Sequence, residues 1–243
     1  MRANLWIVCF MSLGVALTGQ VNFESDVFST AAADLRITFI GHGSLLFNFD
    51  KVNIYVDPDG RLADFSRLPK ADLILITHQH RDHFDLETIR LLSRDSTLIF
   101  VSPVCQPLPP AAHILKNGEN AQACGVAIAA VPAYNIVHQR ANGQPFHPRG
   151  KGNGYVLTFA GLRVYVAGDT ENIPEMRELK DIAVAFLPMN IPYTMTPEMT
   201  AMAAQAIKPR VLYPYHFSDT DPQKLVDLLK DEATIEVRIR KLN

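Results

Sequence analysis

The run Thr77-His78-Gln79-His80-Arg81-Asp82-His83 places four groups able to ligate a metal within six residues. It follows Leu73 to Thr77, an apolar stretch that reads as a buried strand. An extended segment points residues two apart the same way, so His78 and His80 can serve one ion. Asp82 and His83 come just ahead of a helix expected near Asp85, where the turning chain can aim both at a second ion. Imidazole with carboxylate suits zinc, and also iron or manganese as carboxylates are added. Surface decoration does not account for such a density of ligands at a strand end.

Two other places supply what a two-metal site would still lack. The apolar run Val164 to Ala167 ends in Gly168-Asp169-Thr170, a carboxylate placed to bridge two ions. Val211 to Pro214 is followed by Tyr215-His216-Phe217. Taken alone, Asp169 reads equally as a turn aspartate and His216 as a packed ring. Their order behind the first cluster is what lifts both.

The elements that must position these groups are short. Strands are expected at 35–40, 45–49, 52–56, 73–77, 97–101, 126–131, 155–159, 162–167, 183–187, 210–213 and 235–239. Gly41-His42-Gly43-Ser44 and Asp57-Pro58-Asp59-Gly60 form turns between the first of them. Helices are expected at 85–93, from Thr196-Pro197-Glu198 to about 207, and at 222–230, with capping residues at the first two starts. Residues 20–34 show no sustained periodicity and read as an irregular lead, and no internal repeat is visible. Hairpins first and strand–helix alternation later fit two packed sheets with helices outside, in one domain from residue 20 to 243.

In order and spacing, the motifs resemble the metallo-β-lactamase superfamily. Its pattern is an aspartate after an early strand, H-x-H-x-D-H, a third histidine, a bridging aspartate and a final histidine. Asp57, the 78–83 cluster, Asp169 and His216 match in that order, and the resemblance covers about residues 35 to 218. Gly41-His42-Gly43, Val56-Asp57-Pro58, Ala167-Gly168-Asp169-Thr170 and Leu187-Pro188 look most like the branch of ascorbate-6-phosphate lactonase-like and N-acyl phosphatidylethanolamine phospholipase D-like proteins. The fold implied is α/β, a four-layer αββα sandwich of two mixed sheets. The activity implied is hydrolysis of a small ester, lactone or phosphodiester with two divalent ions, zinc first and manganese or iron as alternatives. On this resemblance His78, His80 and a third ligand hold one ion, Asp82, His83 and His216 hold the other, and Asp169 bridges. A hydroxide shared by two ions is a nucleophile at neutral pH, so no side chain need be one. Asp82 and Asp169 are then catalytic as well as ligating, and Asp57 orients a ligand.

The third histidine is where the chain departs from the pattern. After strand 126–131 it reads Val131-Pro132-Ala133-Tyr134-Asn135, with Asn135 in the expected slot. His147, between Phe146 and Pro148, is the favoured replacement, and Asn135 and His138 are the alternatives. His42 reads either as a donor to substrate or as a turn histidine. Tyr193 and Thr194 could line the pocket.

The remaining composition narrows the partners. The chain has 243 residues, 48% hydrophobic and 20% charged, with a formal charge of -2. That length buries a substantial core without metal, so any metal must be justified by chemistry. The charge argues against a generic nucleic-acid or anionic-membrane surface, and a small-molecule substrate is expected. Met1-Arg2, the apolar run Leu5 to Leu17 and Thr18-Gly19-Gln20 match a signal peptide over residues 1–19, too short for a comfortable membrane span. An exported protein with no stable membrane anchor is expected, a buried first helix or an uncleaved anchor being the other readings. Export would permit a Cys105–Cys124 bond, though two separate thiols fit as well.

Other functions on the same fold fit less well. A di-iron redox enzyme carries Glu where this chain has Gln79, and a flavin domain for which there is no length. RNA-processing relatives bring an additional domain or arm. A true β-lactamase resembles these motifs less. A non-catalytic ligand-binding protein is favoured only by the displaced third histidine.

Overall fold

The computed structural model describes residues 23–242; the expected signal peptide lies outside the described residues. Two seven-stranded sheets carry the chain. The first holds β1 (Ser25–Ser29), β2 (Asp34–Gly41), β3 (Ser44–Phe49), β4 (Val52–Val56), β5 (Leu73–Ile76), β6 (Leu98–Val101) and β7 (Ala112–Ile114), side by side in sequence order. The second holds β8 (Asn120–Ala123), β9 (Val126–Ala133), β10 (Gly152–Phe159), β11 (Leu162–Val166), β12 (Ile182–Pro188), β13 (Val211–Tyr215) and β14 (Glu236–Val237), also in order.

Each sheet begins as an antiparallel meander of four strands and finishes with three strands added in parallel. The two halves therefore share one topology. The sequence concealed this because the repeat lies in strand order and direction, which side-chain identity need not follow. Parallel strands need crossovers, and these supply the helices α1 (Leu86–Leu92), α2 (Pro197–Ile207) and α3 (Gln223–Leu228).

The faces explain the layers. Leu35, Ile37, Phe39, Leu45 and Phe47 of the first sheet share a buried cluster with Tyr155, Leu157, Val164, Phe186 and Tyr213 of the second. Phe39–Tyr213 and Phe39–Phe186 ring centroids are 5.0 and 6.3 Å apart, so aromatic contacts span the sheets. Ile74 and Ile76 alternate to the opposite face and meet Ile89 and Leu92 of α1. On the far side Ala201, Ala204 and Ile207 of α2 cover the second sheet, joined by Leu225 of α3. The result is the expected four-layer sandwich.

Three strands had no counterpart in the sequence reading. β1 lies within the segment read as an irregular lead; its half-exposed residues give a weak alternation, and pairing with β2 makes it a strand. Strands β7 and β8 are short edge strands of three and four residues. Cys105 and Cys124 are free thiols, the first buried against Ser102 Oγ. Among the described residues no helix is long and apolar enough to cross a membrane.

Candidate metal centre

The chemistry collects at one end of both sheets, where β2, β4, β5, β11 and β13 finish. Asp57, directly after β4, is fully buried and ties the neighbouring strand end together. Its carboxylate accepts from the Thr77 amide at 2.8 Å, from the Thr77 hydroxyl at 2.6 Å and from His83 Nδ1 at 2.7 Å. Because the Thr77 hydroxyl proton is committed to Asp57, its oxygen accepts from His78 Nδ1 at 3.0 Å. Both rings are thereby held with Nδ1 toward its partner and Nε2 turned inward, the orientation typical of metal-ligating imidazoles. Thr77 was missed by sequence reasoning, which treated it as the strand's last residue.

His83 N and Phe84 N both donate to His80 O, closing the turn that swings Asp82 and His83 round ahead of α1. Asp85 caps that helix, accepting from the amides of Glu87 and Thr88. Gly43 lies against the His83 ring: a Cβ there would sit 2.9 Å from His83 Cε1. Gly168 has φ +67, and its Cβ would lie 2.6 Å from Asn153 O. Only glycine fits before Asp169.

Two clusters result. His78, His80, His147 and Asp169 form one; His42, Asp82, His83 and His216 form the other. In the first, His78 Nε2 and His147 Nε2 lie 3.0 and 3.2 Å from His80 Nδ1. Asp169 Oδ2 is 3.2 Å from His147 Nε2 and 3.7 Å from His78 Nε2. The other oxygen, Oδ1, faces the second cluster, 3.5 Å from both His83 Nε2 and His216 Nε2. Asp82 Oδ2 is 3.5 Å from His216 Nε2, 3.7 Å from His83 Nε2 and 3.2 Å from His42 Nε2.

These separations suit a metal better than they suit hydrogen bonds. Bonds of about 2.0–2.1 Å to one tetrahedral ion put donor atoms about 3.3–3.4 Å apart. His83 Nε2, Asp169 Oδ1 and His216 Nε2 are buried without a hydrogen-bond partner, and all three face the same point. An orphaned buried polar atom is costly, so three converging on one point call for a ligand.

The third-histidine question has a geometric answer. Asn135 Oδ1 points to His147, accepting from its backbone N at 2.8 Å and from Nδ1 at 2.7 Å. His147 turns Nε2 toward His80. His138 faces away from both clusters, with Nδ1 2.8 Å from Glu171. Glu171 Oε2 accepts from the amides of Ile136 and Val137, and Oε1 from that of His138 and from Asn135 Nδ2. Glu171 escaped the sequence reading, although a carboxylate two residues after Asp169 was a visible signal. Thr194 is fully buried and bonds the Asn190 backbone, so it lines no pocket. Tyr193 is exposed and packs on Phe146 at 5.0 Å.

Residues 36–216 match the model of the β-lactamase superfamily domain. The chain belongs to this metallo-β-lactamase superfamily. Its relatives within the superfamily include a UPF0173 metal-dependent hydrolase of Thermococcus onnurineus, 29% identical over 83% of this chain and 95% of the relative. Another, from Methanopyrus kandleri, is 30% identical over 77% of this chain and 86% of its own length. A crystal structure of a protein described as a metal-dependent hydrolase from Parabacteroides distasonis superposes with TM-score 0.87 at 48% identity, covering 91% of this chain and all of that one. A metallo hydrolase from Ignicoccus hospitalis superposes at 0.68 with 25% identity, covering 86% of this chain and 96% of its own. The protein is thus a metal-dependent hydrolase of the superfamily fold. The likeness to the lactonase and phospholipase branch rests on the motifs alone.

The electrostatics of this superfamily site divide by cluster. Burial, with His147 nearby, pulls His80 down to about 4, and burial with His83 nearby holds His78 well below its ordinary value. Both are neutral and ready to donate. Burial also lowers His83, but Asp169, Asp57 and Asp82 outweigh it and raise the group to about 10. Burial raises Asp82 and Asp169, yet the histidines around them hold both far below the usual carboxylate range.

Proposed function

We propose that the protein hydrolyses a small ester, lactone or phosphodiester with the help of two divalent ions, zinc first among them. The observation that carries this reading is the division of the Asp169 carboxylate between two clusters of convergent donors. One cluster would be His78, His80 and His147, the other Asp82, His83 and His216, with Asp169 common to both. When bound, such a pair lowers the pKa of a water between them and polarises the scissile oxygen.

The chain's own groups then have defined tasks. Asp57, Thr77 and Asn135 fix the ring orientations of His83, His78 and His147, so that each turns its Nε2 inward. Asp82 and Asp169 remain ionised, so each would offer the ions an anionic oxygen. The half-exposed Asp82 is the carboxylate open to substrate. Tyr193 and Phe146 present apolar surface beside His147, which favours an organic substrate over a bare anion.

Export, with removal of residues 1–19, belongs to the same proposal and would place the substrate outside the cytoplasm. Activity screened on lactone, phosphodiester and β-lactam substrates, before and after chelator treatment and metal return, tests the reading. Hydrolysis that disappears with chelator and returns with zinc supports it; undiminished hydrolysis in chelator overturns it.

A further inference from the structure

His42 was expected to touch substrate or simply to fill a turn. Its ring lies tilted against that of His216, centroids 3.8 Å apart, and its Nε2 lies 3.2 Å from Asp82 Oδ2. That spacing is slightly shorter than the 3.5–3.7 Å among the other donors of the cluster and likewise within reach of one ion. The backbone fixes the ring there: His216 N donates to His42 O at 3.1 Å, and His42 adopts φ +48. On its other side Gly43 presses against the His83 ring. The loop between β2 and β3 is therefore built onto the cluster, with an imidazole nitrogen turned into it.

We propose that His42 Nε2 is an additional protein donor at the position formed by Asp82, His83, His216 and Asp169 Oδ1, and that this position fills before the other. The inference rests on the two-ion reading above. It gives one position five protein donors, His42, Asp82, His83, His216 and Asp169 Oδ1, against four at His78, His80, His147 and Asp169 Oδ2.

Charge points the same way. Two carboxylates face the five-donor position, and a third, Asp57, stands behind His83 at 2.7 Å. A carboxylate behind a ligating imidazole raises its basicity. The four-donor position has one shared carboxylate, and its imidazoles are backed by a hydroxyl and an amide oxygen. A dication therefore gains more at the five-donor position, and loss of one donor there should leave the other position nearly untouched.

Cobalt(II) reports donor number through its visible absorption, strong for four donors in a tetrahedron and weaker for five. Wild-type protein stripped by chelator is titrated with cobalt(II) alone, alongside His42→Asn and His42→Gly, both of which tolerate positive φ. The expected result is a weak, five-coordinate spectrum for the first equivalent and an intense tetrahedral one for the second. In both variants the first equivalent should weaken about 10–100-fold, at least the cost of losing an outer partner, with the second unchanged. X-ray absorption of wild-type protein holding one equivalent of zinc gives the donor number without any variant. An intense tetrahedral first equivalent, or unchanged affinity in folded variants, overturns the role of His42 while leaving two-ion binding intact. Failure of the wild type to bind a second equivalent would instead count against the two-ion reading itself.

Discussion

Asn135 Oδ1 accepts from His147 Nδ1 at 2.7 Å, so the residue standing in the superfamily's third-histidine slot holds His147 in the cluster with His78 and His80. The pair spans twelve positions of sequence and is doubled by a reciprocal backbone bond, Asn135 N to His147 O at 2.8 Å. Asn135→Ala frees the His147 ring to rotate and should lower affinity at the His78–His80–His147 position about 10–100-fold. Asn135→Asp, which keeps an acceptor there, should restore most of it. Competition with a chromophoric chelator measures both; an unaltered affinity in the alanine variant would contradict the role given to Asn135.

Glu171 gives the site loop a pH dependence. Burial raises its pKa, but Asn135 Nδ2 and the amides of Val137, His138 and Ile136 outweigh that and leave it below its ordinary value of 4.5. A depressed folded pKa means stability that is full above the unfolded value and lost as pH falls through the folded one. Glu171→Gln, which turns an amide toward donors, should destabilise the protein by about 1–3 kcal/mol at neutral pH. The gap should narrow below pH 4.5, as wild-type Glu171 becomes protonated. Urea unfolding of both proteins from pH 7 to pH 3, in chelator, checks this; a constant gap would rule it out.

Removing a donor should cost activity and metal but not the fold. His80→Ala and Asp82→Ala lie outside both hydrophobic clusters. If an ion supplies several kcal/mol of transition-state stabilisation, its loss lowers turnover on the order of 10³-fold. Each variant should melt within a few degrees of chelator-treated wild type. Loss of a cooperative transition would show instead that the cluster is structural.

Two glycines with positive φ should respond differently to alanine. Gly143 has φ +79 with open space beyond it, whereas Gly168 has φ +67 and a carbonyl 2.6 Å from where the Cβ would be. Gly143→Ala should cost about 1 kcal/mol from backbone conformation. Gly168→Ala should cost clearly more and also reduce metal content, because it displaces Asp169. Melting temperatures and metal analysis of the pair decide the matter; equal losses would argue against a crowded Gly168.

The sequence exposed the site's donors better than their supports. His78, His80, Asp82 and His83 are legible because four donors in six residues at a strand end seldom arise without a metal to hold. The sheet cores were equally plain, since Leu35, Ile37 and Phe39 alternate inward along β2. His147 was harder: only its rigid neighbours suggested it, and its orientation depends on Asn135. The Glu171 network depends on loop backbone amides, which leave no trace in side-chain patterns. β1 was illegible because an edge strand takes its order from its partner.

Elemental analysis of purified, active protein tests the central claim most directly. About two transition-metal ions per chain are expected, falling together with activity in His80→Ala and Asp82→Ala. Active protein with no bound metal, or metal content indifferent to both substitutions, would contradict that claim.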